Sequence, residues 1–110
     1  MGLNTDYATA EPSRAEIDAL EEATVLEFGS PECGHCRAAQ ALIAQAFADH
    51  PRVGHIKIED GRGRPLGRSF AVKLWPTLIF LRHGKEVERL VRPADARAIL
   101  QALIRIDVAR

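Results

Sequence analysis

The chain has 110 residues, 46% of them hydrophobic, and its 15 basic and 15 acidic side chains cancel. This length suits one domain with a buried core, and the hydrophobic content excludes an intrinsically disordered chain. The balanced charge argues against nucleic-acid binding, and no apolar run approaches the roughly 20 residues needed to cross a bilayer. We therefore expect no nucleic-acid or membrane partner, and we also expect a monomer.

The N-terminal segment MGLNTDYATAEPSRAEIDALEE has neither a basic start nor an apolar stretch, so it does not resemble a secretory signal. A cytoplasmic location is therefore expected. Residues 1–12 are predicted to form a flexible tail, and residues 13–110 a single domain. Ser13 and Glu16 have the spacing of a capping box, which predicts a short helix through about Leu20.

Seven further elements are predicted along the chain. They are a strand at 24–28, a helix at 34–49, a strand at 53–58, a short helix ending at Phe70, strands at 77–81 and 86–91, and a helix at 94–104. Pro51 would end the long helix, whereas Pro93 would suit the first turn of the last one. A strand–helix–strand start implies a parallel strand pair, and the later hairpin adds antiparallel strands. The prediction is an α/β fold with a mixed central sheet flanked by helices.

The two cysteines of the chain, Cys33 and Cys36, are three positions apart where the long helix begins. In a reducing compartment such a pair is more often catalytic or metal-binding than structural. A disulfide that closes so short a loop restrains little chain entropy, so a structural staple is disfavoured. A cysteine at a helix N-terminus faces unpaired N–H groups and the positive end of the helix dipole, which favour its thiolate form.

A zinc site is the competing interpretation of the cysteines. Cys33, Cys36, His50 and His55 fit the spacing C-x2-C…H-x3-5-H. Zinc fingers of that type carry both histidines on one helix. Here Pro51 follows His50 directly, and His55 lies in an apparent strand. The residues therefore favour a redox pair, in which one sulfur attacks and the other resolves, over a metal site.

The stretch LEFGSPECGHC resembles the strand and active-site segment of the thioredoxin family, and Trp75-Pro76-Thr77 resembles its cis-proline loop. The order of elements matches from about residue 13 to 106. The CGHC form is similar to that of protein disulfide isomerases, whereas ordinary thioredoxins carry proline at the position of His35. The resemblance implies a thioredoxin fold and a thiol–disulfide oxidoreductase that reduces protein disulfides through a mixed disulfide. It implies no organic cofactor and a reductase or glutathione as electron donor; a non-catalytic binding module of the same fold is the alternative.

The resemblance also implies a role for a carboxylate behind the cysteines. Strand alternation alone would place Glu27 towards solvent, but the family keeps a buried carboxylate there, near the resolving sulfur. Glu27 would then take the proton from Cys36. His55 aligns with the family's usual lysine and would be a substitute charge partner.

Five further residues are expected to bind substrate: Gly34, His35, Trp75, Pro76 and Arg92. A cis bond before Pro76 would leave the Trp75 backbone free to pair with an extended substrate segment. Arg92 stands where the family usually has glycine, and Trp75 replaces a smaller aliphatic residue. The groove is therefore expected to be narrower or more charged than in a general thioredoxin.

Overall fold

The structure, a computed structural model, describes residues 2–107, so Met1 of the expected tail and residues 108–110 of the expected domain lie outside the described residues. Its elements in chain order are α1 (Arg14–Asp18), β1 (Thr24–Gly29), α2 (Gly34–Phe47), β2 (Gly54–Glu59), α3 (Pro65–Ser69), β3 (Thr77–Arg82), β4 (Lys85–Val91) and α4 (Ala96–Ile106). The type and order of all eight agree with the prediction. Among residues 2–107, none of the helices has the length and apolar character that a membrane span requires.

The four strands form one mixed sheet in the order β2-β1-β3-β4. β1 runs parallel to β2 and antiparallel to β3, and β3 pairs with β4 as an antiparallel hairpin. β1 is therefore a central strand, and all six of its residues are buried. The predicted α/β architecture and thioredoxin fold are confirmed.

Helices cover both faces of the sheet, because successive strand residues point to opposite sides. Val25 of β1 belongs to the core that includes Ile43 of α2 and Leu103 of α4. The next residue, Leu26, belongs to the opposite core, which contains Ile17 of α1. Both layers are apolar, so the polar side chains of β1 need partners within the protein.

The last helix begins two residues later than predicted. The side chain of Asp95 accepts a hydrogen bond from the Ala98 N–H at 3.0 Å, so Asp95 is the N-cap and α4 starts at Ala96. Such a cap satisfies a backbone donor that would otherwise have no partner. Pro93 consequently lies in the loop between β4 and α4 rather than in the first helical turn.

The N-terminal segment, whose flexibility stays a prediction, lies against β2 in the structure. The Gly2 N–H donates to the Val53 carbonyl at 2.9 Å, and the Ala8 N–H donates to the Lys57 carbonyl at 2.8 Å. Tyr7 forms a parallel bridge with Lys57. Because β2 is an edge strand with free backbone groups, the segment can use them as partners. The segment before residue 13 thus adds backbone hydrogen bonds to the edge of the sheet.

Candidate active site

The loop after β1 places the two cysteines at the start of α2. Cys33 is the N-cap residue, and its Sγ accepts a hydrogen bond from the Cys36 N–H at 3.1 Å. Both thiols are free. Cys33 is half-buried, whereas Cys36 is only 1% exposed. The pair therefore presents one accessible sulfur and one protected sulfur, as expected from the sequence.

The buried environment of Cys36 keeps this residue in its thiol form. Burial is the largest cause that raises the pKa of Cys36 from 9.0 to about 12, followed by the side-chain hydrogen bond with Cys33. The negative charge of Glu27 raises it further, while a backbone hydrogen bond at Ser30 partly opposes the shift. At neutral pH the Cys36 sulfur therefore carries a proton that must leave before this sulfur can attack.

Gly29 provides the space in which this sulfur lies. A Cβ added there would lie 2.6 Å from Cys36 Sγ and 3.2 Å from the Tyr7 hydroxyl. A side chain at this position would collide with Cys36, so the last residue of β1 must be small. The same measurement places Tyr7, from the N-terminal segment, beside the resolving cysteine.

Glu27 is fully buried and has a partner at each carboxylate oxygen. His55 Nε2 lies 2.8 Å from Glu27 Oε1, and Gln40 Nε2 donates to Oε2 at 2.8 Å. The Asn4 N–H donates to His55 Nδ1 at 2.8 Å. Because Nδ1 is an acceptor, a neutral His55 carries its proton on Nε2 and donates it to Glu27. The expected pairing of these two side chains is present in the structure, together with two partners that the sequence did not reveal.

Gln40 connects this carboxylate to the cysteine helix. Its Nε2 donates to the Cys36 carbonyl as well as to Glu27, each at 2.8 Å. Its Oε1 accepts from Lys57 Nζ at 3.0 Å, and Lys57 also lies over the Tyr7 ring at 4.6 Å. Lys57 therefore fixes the orientation of the Gln40 amide. Its place two residues after His55 in a strand, on the same face, is the signal that could have identified Lys57 from the sequence.

The Trp75–Pro76 peptide bond is cis, as the resemblance implies, and it lies in front of Cys33. The Cys33 thiol points at the Trp75 carbonyl oxygen, with 4.0 Å between Sγ and O. The half-buried indole donates from Nε1 to Asp60 Oδ2 at 2.9 Å. A Cβ on Gly67 would lie 2.3 Å from the Asp60 carboxylate, so this glycine leaves room for the group that holds Trp75. Nothing in the sequence indicated a role for Asp60, because acidic residues are common in loops.

Arg92 changes the expectation for the Trp75 backbone. The Arg92 N–H donates to the Pro76 carbonyl at 3.0 Å, and Arg92 Nε donates to the Trp75 carbonyl at 2.8 Å. The prediction that the Trp75 backbone is free was therefore wrong for its carbonyl, because the arginine that replaces glycine is long enough to reach it. Arg92 and His35 also line a cavity of about 330 Å³. Gly34 is the exposed first residue of α2.

The four residues of the zinc pattern do not come together. His50 Nδ1 contacts Asp107 Oδ2 at 2.5 Å, whereas His55 contacts Glu27. Within the described residues 2–107, no group of three His, Cys, Asp or Glu side chains is arranged to hold a metal ion. The sequence spacing is therefore not matched by a tetrahedral set of ligands.

Comparison with known proteins gives consistent matches. The Thioredoxin family model matches residues 5–105. The thioredoxin of Chlamydia trachomatis serovar D is 31% identical over 88 residues, which cover 78% of this chain and 85% of that protein. The TPR repeat-containing thioredoxin TDX of Arabidopsis thaliana is 28% identical over 96 residues, which are 81% of this chain but only 25% of that protein.

A solved structure adds a match in three dimensions. Reduced thioredoxin 2 of Pseudomonas aeruginosa PAO1 superposes with a TM-score of 0.84 at 53% sequence identity. The superposition covers 94% of this chain and 96% of the Pseudomonas chain. The region matched by the family model contains all four strands and both cysteines. This chain belongs to the thioredoxin family of thiol–disulfide oxidoreductases.

Proposed function

We propose that this protein reduces disulfide bonds in other proteins, with Cys33 as the attacking thiol and Cys36 as the resolving thiol. The observation that carries the proposal is the half-exposed Cys33 at the N-cap of α2, with the buried thiol of Cys36 one turn behind it. A domain that only bound partners would have no use for a buried carboxylate near its second cysteine. The Glu27 network therefore supports an enzyme over a binding module.

The first step forms the mixed disulfide. The Cys33 thiolate attacks one substrate sulfur, the substrate S–S bond breaks, and the second substrate sulfur leaves as a thiolate that takes a proton from water. The Cys36 N–H and the other free N–H groups at the start of α2 stabilise the attacking thiolate. Trp75 and Pro76 border the attacking sulfur and would position the substrate chain beside it.

The second step releases the substrate. Cys36 loses its proton and attacks the Cys33 sulfur, so that the Cys33–Cys36 disulfide forms and the substrate leaves as a thiol. We assign the removal of the proton to Glu27, whose Oε2 is joined to the first turn of α2 through Gln40. The substrate disulfide has then gained the two electrons that the two cysteines have lost; one of its two protons balances the proton that Cys36 gives up, and the other comes from water.

A reductase or glutathione would return two electrons to the Cys33–Cys36 disulfide, with no organic cofactor or metal in this chain. His35 between the cysteines is exposed and, when protonated, would stabilise the Cys33 thiolate. We therefore propose a reduction potential between the values typical of thioredoxin and of protein disulfide isomerase, roughly −270 mV and −180 mV. We also propose that the protein is a cytoplasmic monomer.

The proposal is tested by insulin reduction with dithiothreitol as the electron donor, using the wild type and Cys33→Ser. The wild type should accelerate the reduction, and the variant should not exceed dithiothreitol alone. Circular dichroism of Cys33→Ser checks that the variant is folded. A wild type without activity would overturn the enzyme and support the binding module, in which the cysteine pair is not used for turnover.

A further inference from the structure

Arg92 lies in the loop that joins β4 to α4, and it is held to the cis-proline loop at two points. Its N–H donates to the Pro76 carbonyl, and its Nε donates to the Trp75 carbonyl. Its backbone has φ of +50°, in the left-handed region that residues other than glycine rarely adopt. The Trp75 carbonyl oxygen that accepts from Nε is also the one that the Cys33 thiol faces at 4.0 Å.

In this position Arg92 competes with the substrate for the Trp75 carbonyl. An extended peptide that adds to a protein by backbone pairing needs exposed N–H and C=O groups as partners. At the attacking sulfur, the Trp75 carbonyl is such a partner, but the guanidinium lies on it. Because Arg92 Nε and the Cys33 thiol both approach this oxygen, a substrate N–H competes with them for its two lone pairs. Because the Arg92 side chain is exposed, its displacement requires no change in the protein core.

The surroundings of Arg92 determine which substrates could displace it. The apolar residues that line the adjoining cavity include Leu42 and Pro93, and its two ionisable lining residues are His35 and Arg92. The acidic side chains of the neighbouring segments make hydrogen bonds of their own: Glu32 accepts from the Ser30 hydroxyl at 2.9 Å, Asp60 from the Trp75 indole, and Asp95 from the Ala98 N–H. None of these carboxylates lines the cavity, whose one permanently charged lining group is the Arg92 guanidinium, and this group would attract a carboxylate.

We propose that Arg92 is a specificity-determining residue that selects disulfides flanked by a carboxylate. The substrate carboxylate binds the guanidinium, which then releases the Trp75 carbonyl. The freed carbonyl accepts a hydrogen bond from the substrate backbone N–H. A guanidinium suits this exchange because its planar set of N–H donors can bind both carboxylate oxygens at once. The inference rests on the proposed function, since it concerns substrates of the same cysteine pair.

The test uses two short peptides, each with an intramolecular disulfide, that are identical except for Asp or Lys next to the attacked cysteine. We measure kcat/KM for both with the wild type, Arg92→Gln and Lys85→Gln. Lys85 begins β4, at the opposite end of that strand from Arg92, so its replacement removes the same charge away from the cavity. The wild type and Lys85→Gln should prefer the acidic peptide about two- to fivefold, the size of one partly exposed ion pair. Arg92→Gln should treat both peptides alike.

A second variant separates the two effects of the guanidinium. Arg92→Gly should increase the rate on a neutral peptide with Asn at the same position, because the Trp75 carbonyl becomes accessible. Sodium chloride at about 1 M should remove most of the wild-type preference, since the Debye length falls to about 3 Å. A preference retained by Arg92→Gln, or slower reduction of the neutral peptide by Arg92→Gly, would overturn the inference. Neither result would affect the proposed function, which depends on the loss of activity in Cys33→Ser.

Discussion

The two sides of the cysteine pair differ in how their polar groups find partners. Behind Cys36, the oxygens of Glu27 bind His55 and Gln40 in the buried interior. In front of Cys33, the Trp75 carbonyl binds the side chain of an exposed arginine. The bonds behind are closed to solvent, whereas the bond in front can be exchanged for one to a substrate. The comparison indicates that the buried side sets the chemistry and the exposed side sets the selectivity.

The physical reason is the local environment. A hydrogen bond or a charge pair is electrostatically stronger in the interior, and a buried polar group that loses its partner is costly. At the surface, water competes with every bond and salt screens every charge. Substitutions behind Cys36 should therefore change rates and stability strongly, whereas those in front of Cys33 should produce modest changes that depend on the substrate.

The largest effect is expected from Cys36→Ser, which removes the resolving sulfur. Cys33 should still attack a substrate disulfide, but the mixed disulfide should accumulate and turnover should stop. Mass spectrometry of the variant after exposure to a disulfide peptide should show one covalent adduct per chain. In the doubly substituted variant Cys33→Ser/Cys36→Ser the adduct should be absent. An adduct on Cys36 in the single variant Cys33→Ser, formed as fast as the one on Cys33, would contradict the division into attacking and resolving sulfurs.

The next largest effect is expected from Glu27→Gln. The amide can accept from only one of the two donors that now bind the carboxylate, His55 Nε2 and Gln40 Nε2, and it cannot take a proton from Cys36. Resolution of a preformed mixed disulfide should slow by about 100-fold, the lower part of the range for general base catalysis. Stopped-flow measurement of the released thiol follows this step.

A matched control for that variant is available on the other side of the pair. Glu32 is exposed and immediately precedes Cys33, so Glu32→Gln makes the same chemical change in solvent. It should leave the resolution rate within about twofold of the wild type, as expected for an exposed charge. Equal slowing by both variants would mean that general electrostatics, rather than proton removal by Glu27, controls resolution.

Local patterns in the sequence predicted the parts of this site that depend on short spacing. The cysteine spacing and the helix that begins there were identified in this way, whereas the cis-proline loop was identified from the family resemblance. Burial of Glu27 was also not predicted by local patterns, because strand alternation alone places it towards solvent, and only the family resemblance indicated the interior. The bonds of Gln40 to Glu27 and of Arg92 to Trp75 join residues 13 and 17 positions apart. Their formation depends on how α2 and the β4–α4 loop lie against the sheet, which no local pattern encodes.

A smaller effect is expected from pH, through the thiol of Cys36. Its pKa is raised from 9.0 to about 12 in the folded protein, chiefly by burial, so the folded state holds the proton more tightly than the unfolded chain. Unfolding then releases a proton between pH 9 and about 12, and the stability of the reduced protein falls as pH rises through that window. Below pH 9 this contribution to stability should be fully present.

Urea unfolding of the reduced wild type and of reduced Cys36→Ser, each at several pH values from 8 to about 11, measures this contribution. The free energy of unfolding of the wild type should fall relative to that of the variant as pH rises. Tyr7, whose pKa is also raised chiefly by burial, is present in both proteins, so most of its effect cancels. A difference between the two proteins that does not change with pH would contradict a raised pKa for Cys36.

The smallest effect is expected from substitution of Asn4, through which the N-terminal segment contacts the buried His55. The Asn4 N–H is the donor to His55 Nδ1, and Asn4→Pro removes that N–H whereas Asn4→Ala keeps it. The proline variant leaves a buried acceptor without a partner, so its free energy of unfolding should fall by about 1–3 kcal/mol, and that of the alanine variant by much less. Nitrogen chemical shifts of the His55 ring provide a readout that a general loss of stability would not move. The wild type and Asn4→Ala should carry the proton on Nε2, whereas Asn4→Pro should populate the other tautomer as well. Equal stability and equal ring shifts in both variants would mean that Glu27 alone orients His55. The N-terminal segment would then have no part in the site.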